Sequence, residues 1–115
     1  MMIYIPDKWL LVKISPKGED SIYKVFATWS GGYLDGDSWR LNSGIVDITA
    51  NETSFQFHGY SGSEYDCSKA SYGCTQFGWS TITNYQNKLH ESTEHKLEIL
   101  SEEEALEYIK GELNK

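Results

Sequence analysis

The residues predict an α+β fold, a small antiparallel sheet built from hairpins with a C-terminal amphipathic helix packed on one face. Three observations carry that expectation. β-branched and aromatic runs are punctuated by Pro, Gly and Asn clusters. Near the end, Ser101-Glu102-Glu103-Glu104 forms a capping box with its acid at the positive end of a helix. The chain is 115 residues long, enough to bury one core and too short for two, so 1–115 reads as a single domain.

The elements follow in order. Lys8 to Ile14 and Ser21 to Ser30 are strand-like and are separated by Ser15-Pro16-Lys17-Gly18-Glu19-Asp20, a reversal signal, which predicts a hairpin. In the second run Ile22, Lys24, Phe26 and Thr28 alternate with Tyr23, Val25, Ala27 and Trp29, so both faces are at least partly apolar, as in a central strand. Gly44 to Thr49 and Thr53 to His58 predict a second hairpin across Ala50-Asn51-Glu52. Ser61-Gly62-Ser63 then reverses the chain into Glu64 to Cys67, making a meander. From Trp79 to Leu89 the spacing of Trp79, Ile82, Tyr85 and Leu89 is helical while Thr81-Ile82-Thr83 favours strand; the period predicts a short helix. Lys96 to Leu100 reads as a strand, and Leu106, Ile109 and Leu113 mark one face of the terminal helix.

Seventeen Asp and Glu oppose ten Lys and Arg, a net charge of −7, and the basic residues are scattered along the chain. Such a surface repels a phosphate backbone, so nucleic acid is not an expected partner. The start, Met1 to Lys8, lacks a basic segment, and Pro6-Asp7-Lys8 cuts its apolar stretch. That predicts no signal peptide, no membrane partner and a cytoplasmic location, where Cys67 and Cys74 stay reduced.

Sites of familiar chemistry fit poorly. Asp35-Gly36-Asp37 resembles the start of a calcium loop, but Trp39, Arg40 and Val46 stand where the fifth, sixth and twelfth positions need a ligand, Gly and Glu. Cys67 and Cys74 have neither redox-pair nor zinc-knuckle spacing. Neither phosphate-loop pattern occurs, and no metal or cofactor is expected. His58 and Cys67 could approach one another across the Ser61-Gly62-Ser63 turn as base and nucleophile. Asp35, Asp37, Glu64 and Asp66 are the acids available for a paired-carboxylate site. None of these spacings carries a catalytic assignment.

The remaining feature is a dense mixture of glycine and aromatic residues between Trp29 and Trp79. Trp29, Tyr33, Trp39, Tyr60, Tyr65, Tyr72 and Trp79 exceed what one small core can bury beside Phe26, Phe55 and Phe57. Exposed Tyr and Trp rimmed by Ser, Asp and an Arg have the composition of interaction hot spots. The candidate binding residues are Tyr33, Asp37, Trp39, Arg40, His58, Tyr60 and Tyr65, with core closure by Trp29 and Trp39 as the competing explanation.

The stretches Lys24 to Trp29, Gly31-Gly32-Tyr33, Asp37 to Ile45 and Phe57 to Cys67 resemble small uncharacterised proteins encoded by tailed bacteriophages of the T4-like type. The resemblance covers roughly the middle half of the chain and excludes the Glu-rich helix. It implies expression in an infected bacterium, where a small acidic protein acts by binding a host protein. Two functions follow: a non-catalytic binding protein gripping a host factor through the Gly and aromatic face, or a small-molecule (nucleotide or sugar) binder or hydrolase using that face. Self-association into a homo-oligomer is compatible with both.

Overall fold

The computed structural model describes residues 2–31, 37–92 and 94–115. Eight strands and two helices are present among them: β1 (Ile3–Tyr4), β2 (Lys8–Ser15), β3 (Ile22–Trp29), β4 (Ser38–Leu41), β5 (Ile45–Ala50), β6 (Ser54–Gly59), β7 (Glu64–Ser68), α1 (Gln76–Ser92), β8 (Lys96–Ile99) and α2 (Glu102–Leu113). The fold is α+β. Its strands divide between two four-stranded sheets: an outer sheet in the order β1-β7-β6-β5 and a central sheet in the order β4-β3-β2-β8. All pairings are antiparallel except that of β1 with β7.

The hairpins form where turn chemistry and alternation coincide. β2 and β3 pair from Lys8↔Thr28 to Ile14↔Ile22, and Gly18 at the reversal has φ +76°, a backbone state that suits glycine. Asn51 closes the β5–β6 turn by accepting from the amides of Thr53 (2.9 Å) and Ser54 (2.8 Å). The β6–β7 turn uses Gly62 at φ +95°. β5, β6 and β7 are therefore the meander that the turn signals predict.

Two side-chain layers lie on the two faces of the central sheet. Trp9, Leu11, Val25 and Ala27 face Ile48, Phe55, Phe57, Tyr65 and Cys67 of the outer sheet, and Leu100, Ala105 and Ile109 complete that layer. Leu10, Val12, Ile14 and Phe26 point the other way, toward Ile82 of α1 and with Leu97 of β8. The near-continuous apolar run in β2 thus serves both layers, as an interior strand must.

α1 extends beyond the Trp79 to Leu89 segment at both ends, and its start is set by the Thr75 hydroxyl, which accepts from Gly78 N–H at 3.0 Å. Gly78 lets the helix sit close to β3: a Cβ there would lie 2.6 Å from Thr28 Cγ2. α2 packs against β5 and β2, with Tyr108 stacked on Tyr23 at 3.8 Å between centroids. Its capping box forms as the sequence predicts: Ser101 Oγ accepts from Glu104 N–H, and Glu104 Oε1 accepts from Ser101 N–H.

Candidate functional site

An exposed aromatic surface beside a cavity lies between β4 and α1. Alternation in Ser38-Trp39-Arg40-Leu41 sends Trp39 and Leu41 to the α1 side of the central sheet and Arg40 to the other side. Trp39 rests on Phe26 of β3 at 5.7 Å between centroids, and the pair forms one wall and the floor of a groove of about 250 Å³. From α1, Tyr85 stands opposite, while Asn84 and Lys88 supply polar lining. Trp39 is 45% exposed and Tyr85 39% exposed, so both rings are half in contact with the protein and half available. Lys88 is the one ionised side chain among the described residues that line the groove, although the chain as a whole is strongly acidic.

The other residues singled out from the sequence do not converge here. Tyr33 lies outside the described residues, as does Asp35. Asp37 is exposed just before β4. Arg40 reaches across the sheet edge to the outer sheet, its guanidinium 4.5 Å from the centre of the Tyr4 ring. Tyr65 is only 2% exposed; burial holds its hydroxyl above the ordinary tyrosine range, and the positive charge of Arg40 partly opposes that rise. Tyr60, at the β6–β7 turn, is 82% exposed.

The two glycine-rich segments do meet, but through backbone and serine contacts. Gly44 C=O accepts from Tyr60 N–H at 2.8 Å, and Ser43 Oγ accepts from Ser61 N–H at 2.9 Å. Thus the described candidate residues separate: Trp39 faces α1, Tyr60 stands at a turn, Arg40 meets Tyr4 at the sheet edge, and Tyr65 is internal.

A His58–Cys67 pair does not form. The β6–β7 register sets His58 opposite Glu64 and Phe55 opposite Cys67, so His58 is on the solvent side and Cys67 on the buried side. His58 Nδ1 lies 3.6 Å from Glu64 Oε1. Both cysteines are free and buried, and desolvation pushes both thiols up, Cys74 to about 11, away from the thiolate form that nucleophilic chemistry needs. Asp66, on the same outer face as Glu64, accepts from Gln56 Nε2 at 3.0 Å, whereas Asp37 stands just before β4 of the other sheet. Among the described residues, no group of three or more His, Cys, Asp or Glu is arranged to hold a metal ion.

Phe26, Asn84, Tyr85 and Lys88 complete a site that the sequence divides between distant segments. Only the helical spacing of Ile82, Tyr85 and Leu89 hints that Tyr85 faces inward, and nothing local connects it to Trp39. No helix among the described residues is long and apolar enough to cross a membrane. Comparison with known proteins finds no matching family model, no matching curated protein and no matching solved structure.

Proposed function

We propose that this chain is a non-catalytic binding protein of phage type that grips a host protein through the groove between β4 and α1. The observation that carries this reading is the pair of half-exposed rings, Trp39 and Tyr85, on opposite sides of an apolar floor made by Phe26. Rigid aromatics that are anchored on one side and open on the other supply contact area at low entropic cost. The groove is also small for a buried ligand: its volume of about 250 Å³ falls below the ~300–1,000 Å³ of typical small-molecule pockets. That favours a protein partner over the nucleotide or sugar alternative.

Affinity capture from a bacterial lysate, followed by calorimetry with the purified captured protein, tests the reading. The double substitution Trp39→Ala, Tyr85→Ala should weaken binding by at least ~30-fold, the scale of a two-residue hot spot, while Tyr60→Ala leaves it unchanged. Equal affinity of the wild-type and double-variant proteins would overturn the assignment of this groove.

A further inference from the structure

A strand at the edge of a sheet carries unpaired backbone donors and acceptors that proteins ordinarily protect. β1 has only two residues, and β8 is covered by α1: Gln86 Nε2 donates to Leu97 C=O at 2.8 Å, and His90 Nε2 accepts from Leu97 N–H at 3.1 Å. That leaves β4 and β5, with whose far sides no strand pairs among the described residues. β5 is the longer, six residues to four, and Val46, Asp47, Thr49 and Ala50 are exposed along it although α2 packs against this strand.

The hydrogen-bond phase of β5 shows which groups are open. Asn51 N–H donates to Ser54 C=O at 3.0 Å, so residue 51 faces β6. By the two-residue alternation of an antiparallel ladder Thr49 faces β6 as well, and the N–H and C=O groups of Ile48 and Ala50 point to the edge. One of these donors is already engaged. Asp47 Oδ1 accepts from Ile48 N–H at 2.9 Å, beside a register irregularity between Ile45 and Asp47. Edge carboxylates and bulges are devices that restrain a strand from pairing.

We propose that β5 is a self-association edge, at which a second copy of this chain pairs antiparallel about a two-fold axis through Thr49, with Asp47 as the guard that limits the pairing. Register decides the occupant. About that axis, Ile48 of each copy exchanges main-chain hydrogen bonds with Ala50 of the other, so the two copies satisfy each other with the same groups, as a closed two-fold interface requires. Thr49 stands opposite Thr49, a favourable cross-strand pair. Asp47 stands opposite Asn51, so no carboxylate meets a carboxylate in a chain of net charge −7. The corresponding pairing of β4, centred between its edge-facing residues Trp39 and Leu41, would set Arg40 against Arg40 and is repelled. When the β5 pair forms, Ile48 N–H exchanges Asp47 Oδ1 for Ala50 C=O of the second copy. The surface is separate from the groove between β4 and α1 and does not depend on its function.

Sedimentation equilibrium of the full chain, from micromolar to millimolar concentration, tests the proposal. Wild type should dimerise within that range. Asp47→Ala frees the Ile48 donor and should tighten the dimer at least ~10-fold, whereas Asp47→Asn, which loses the same charge but keeps an acceptor oxygen, should stay near wild type. Thr49→Lys, at an exposed position, sets ammonium against ammonium on the axis and should weaken the dimer at least ~10-fold, with an unchanged melting temperature at dilute concentration showing that the fold is intact. Where the dimer predominates, amide exchange at Ala50 should slow at least ~10-fold relative to the monomer while Thr49 stays unchanged.

A wild type that remains monomeric at millimolar concentration would overturn the proposal, whatever the variants do. A dimer that leaves Ala50 unprotected, or that Thr49→Lys does not weaken, uses another surface and overturns it as well. Asp47→Ala no tighter than Asp47→Asn would overturn the role of Asp47 as guard.

Discussion

The two faces of the central sheet are packed differently. Between the sheets, Trp9 contacts Phe55, Phe57 and Tyr72 at 6.1, 5.3 and 4.8 Å between centroids, and its indole N–H donates to Ser68 C=O at 2.7 Å. On the other face, α1 contributes one side chain to the fully buried set, Ile82, and leaves Phe77, Trp79 and Tyr85 substantially exposed. Interlocked rings give the first layer its cohesion. The second layer is thinner, and the space not filled by α1 is the groove. The difference teaches where stability resides, in the inter-sheet layer, and where the proposed recognition would reside, in the helix layer.

Paired truncations provide the largest test of this division. Phe57→Ala removes a fully buried ring from the inter-sheet layer and should cost about 3–5 kcal/mol, enough to threaten the whole fold. Ile82→Ala should cost about 2 kcal/mol, near the lower end for such changes, because α1 can settle toward the groove. Denaturant unfolding measures both losses, and amide exchange shows where opening occurs. Ile82→Ala should loosen α1 while β5, β6 and β7 remain protected. Loss of protection throughout the outer sheet in Ile82→Ala would mean that the layers are not separable.

The layers also differ in how far local sequence reveals them. The meander, the β2–β3 hairpin and the capped α2 all rest on signals within a few residues: Asn51, Gly18, Gly62 and Ser101 each satisfy a local backbone need. The helix-side groove requires Trp39 to meet Tyr85, more than forty positions away, and nothing in either neighbourhood encodes that meeting. β4 is intermediate. Its period-2 alternation is present in Ser38-Trp39-Arg40-Leu41, but four residues inside a glycine-rich stretch are too few to outweigh the turn signals around them. The same alternation explains why neighbouring Trp39 and Arg40, both candidates for one surface, separate onto opposite faces.

Tyr72 links the two layers and gives a smaller effect. Its ring packs against both, its hydroxyl donates to Leu100 C=O at 2.7 Å, and it accepts from Leu11 N–H at 3.1 Å. Tyr72→Phe preserves the ring and strands both backbone groups, for an expected cost of about 1–3 kcal/mol by denaturant unfolding. Burial raises the Tyr72 pKa from 10.0 to about 12. The folded state therefore favours the protonated phenol, and that contribution is fully present below pH 10 and lost as pH rises toward 12. Stability measured from pH 9 to 12 should fall less steeply in Tyr72→Phe than in wild type. An equal slope would show that Tyr72 does not govern the alkaline limb, and an unchanged neutral stability would show that the two layers are not joined through its hydroxyl.

The smallest expected effect concerns α2, which closes the side of the inter-sheet layer. Ser101→Ala removes the acceptor for Glu104 N–H and should cost about 1 kcal/mol, the ordinary value of an N-cap. Glu104 adds a pH signature. Hydrogen bonds from the Ser101 backbone N–H and from its side chain hold the Glu104 carboxyl below its usual 4.5. A depressed folded pKa stabilises the native state above the unfolded value, and that stability disappears as pH falls through the folded one. The melting-temperature gap between wild type and Glu104→Ala should thus be widest near neutral pH and narrow below pH 4.5. Since α2 leans on the aromatic layer and not on the groove, neither substitution should alter binding at β4. A cap variant that weakened partner affinity at unchanged native population would instead show that closure of the inter-sheet layer positions the β4 wall of the groove, and the division between a stabilising face and a recognising face would have to be redrawn.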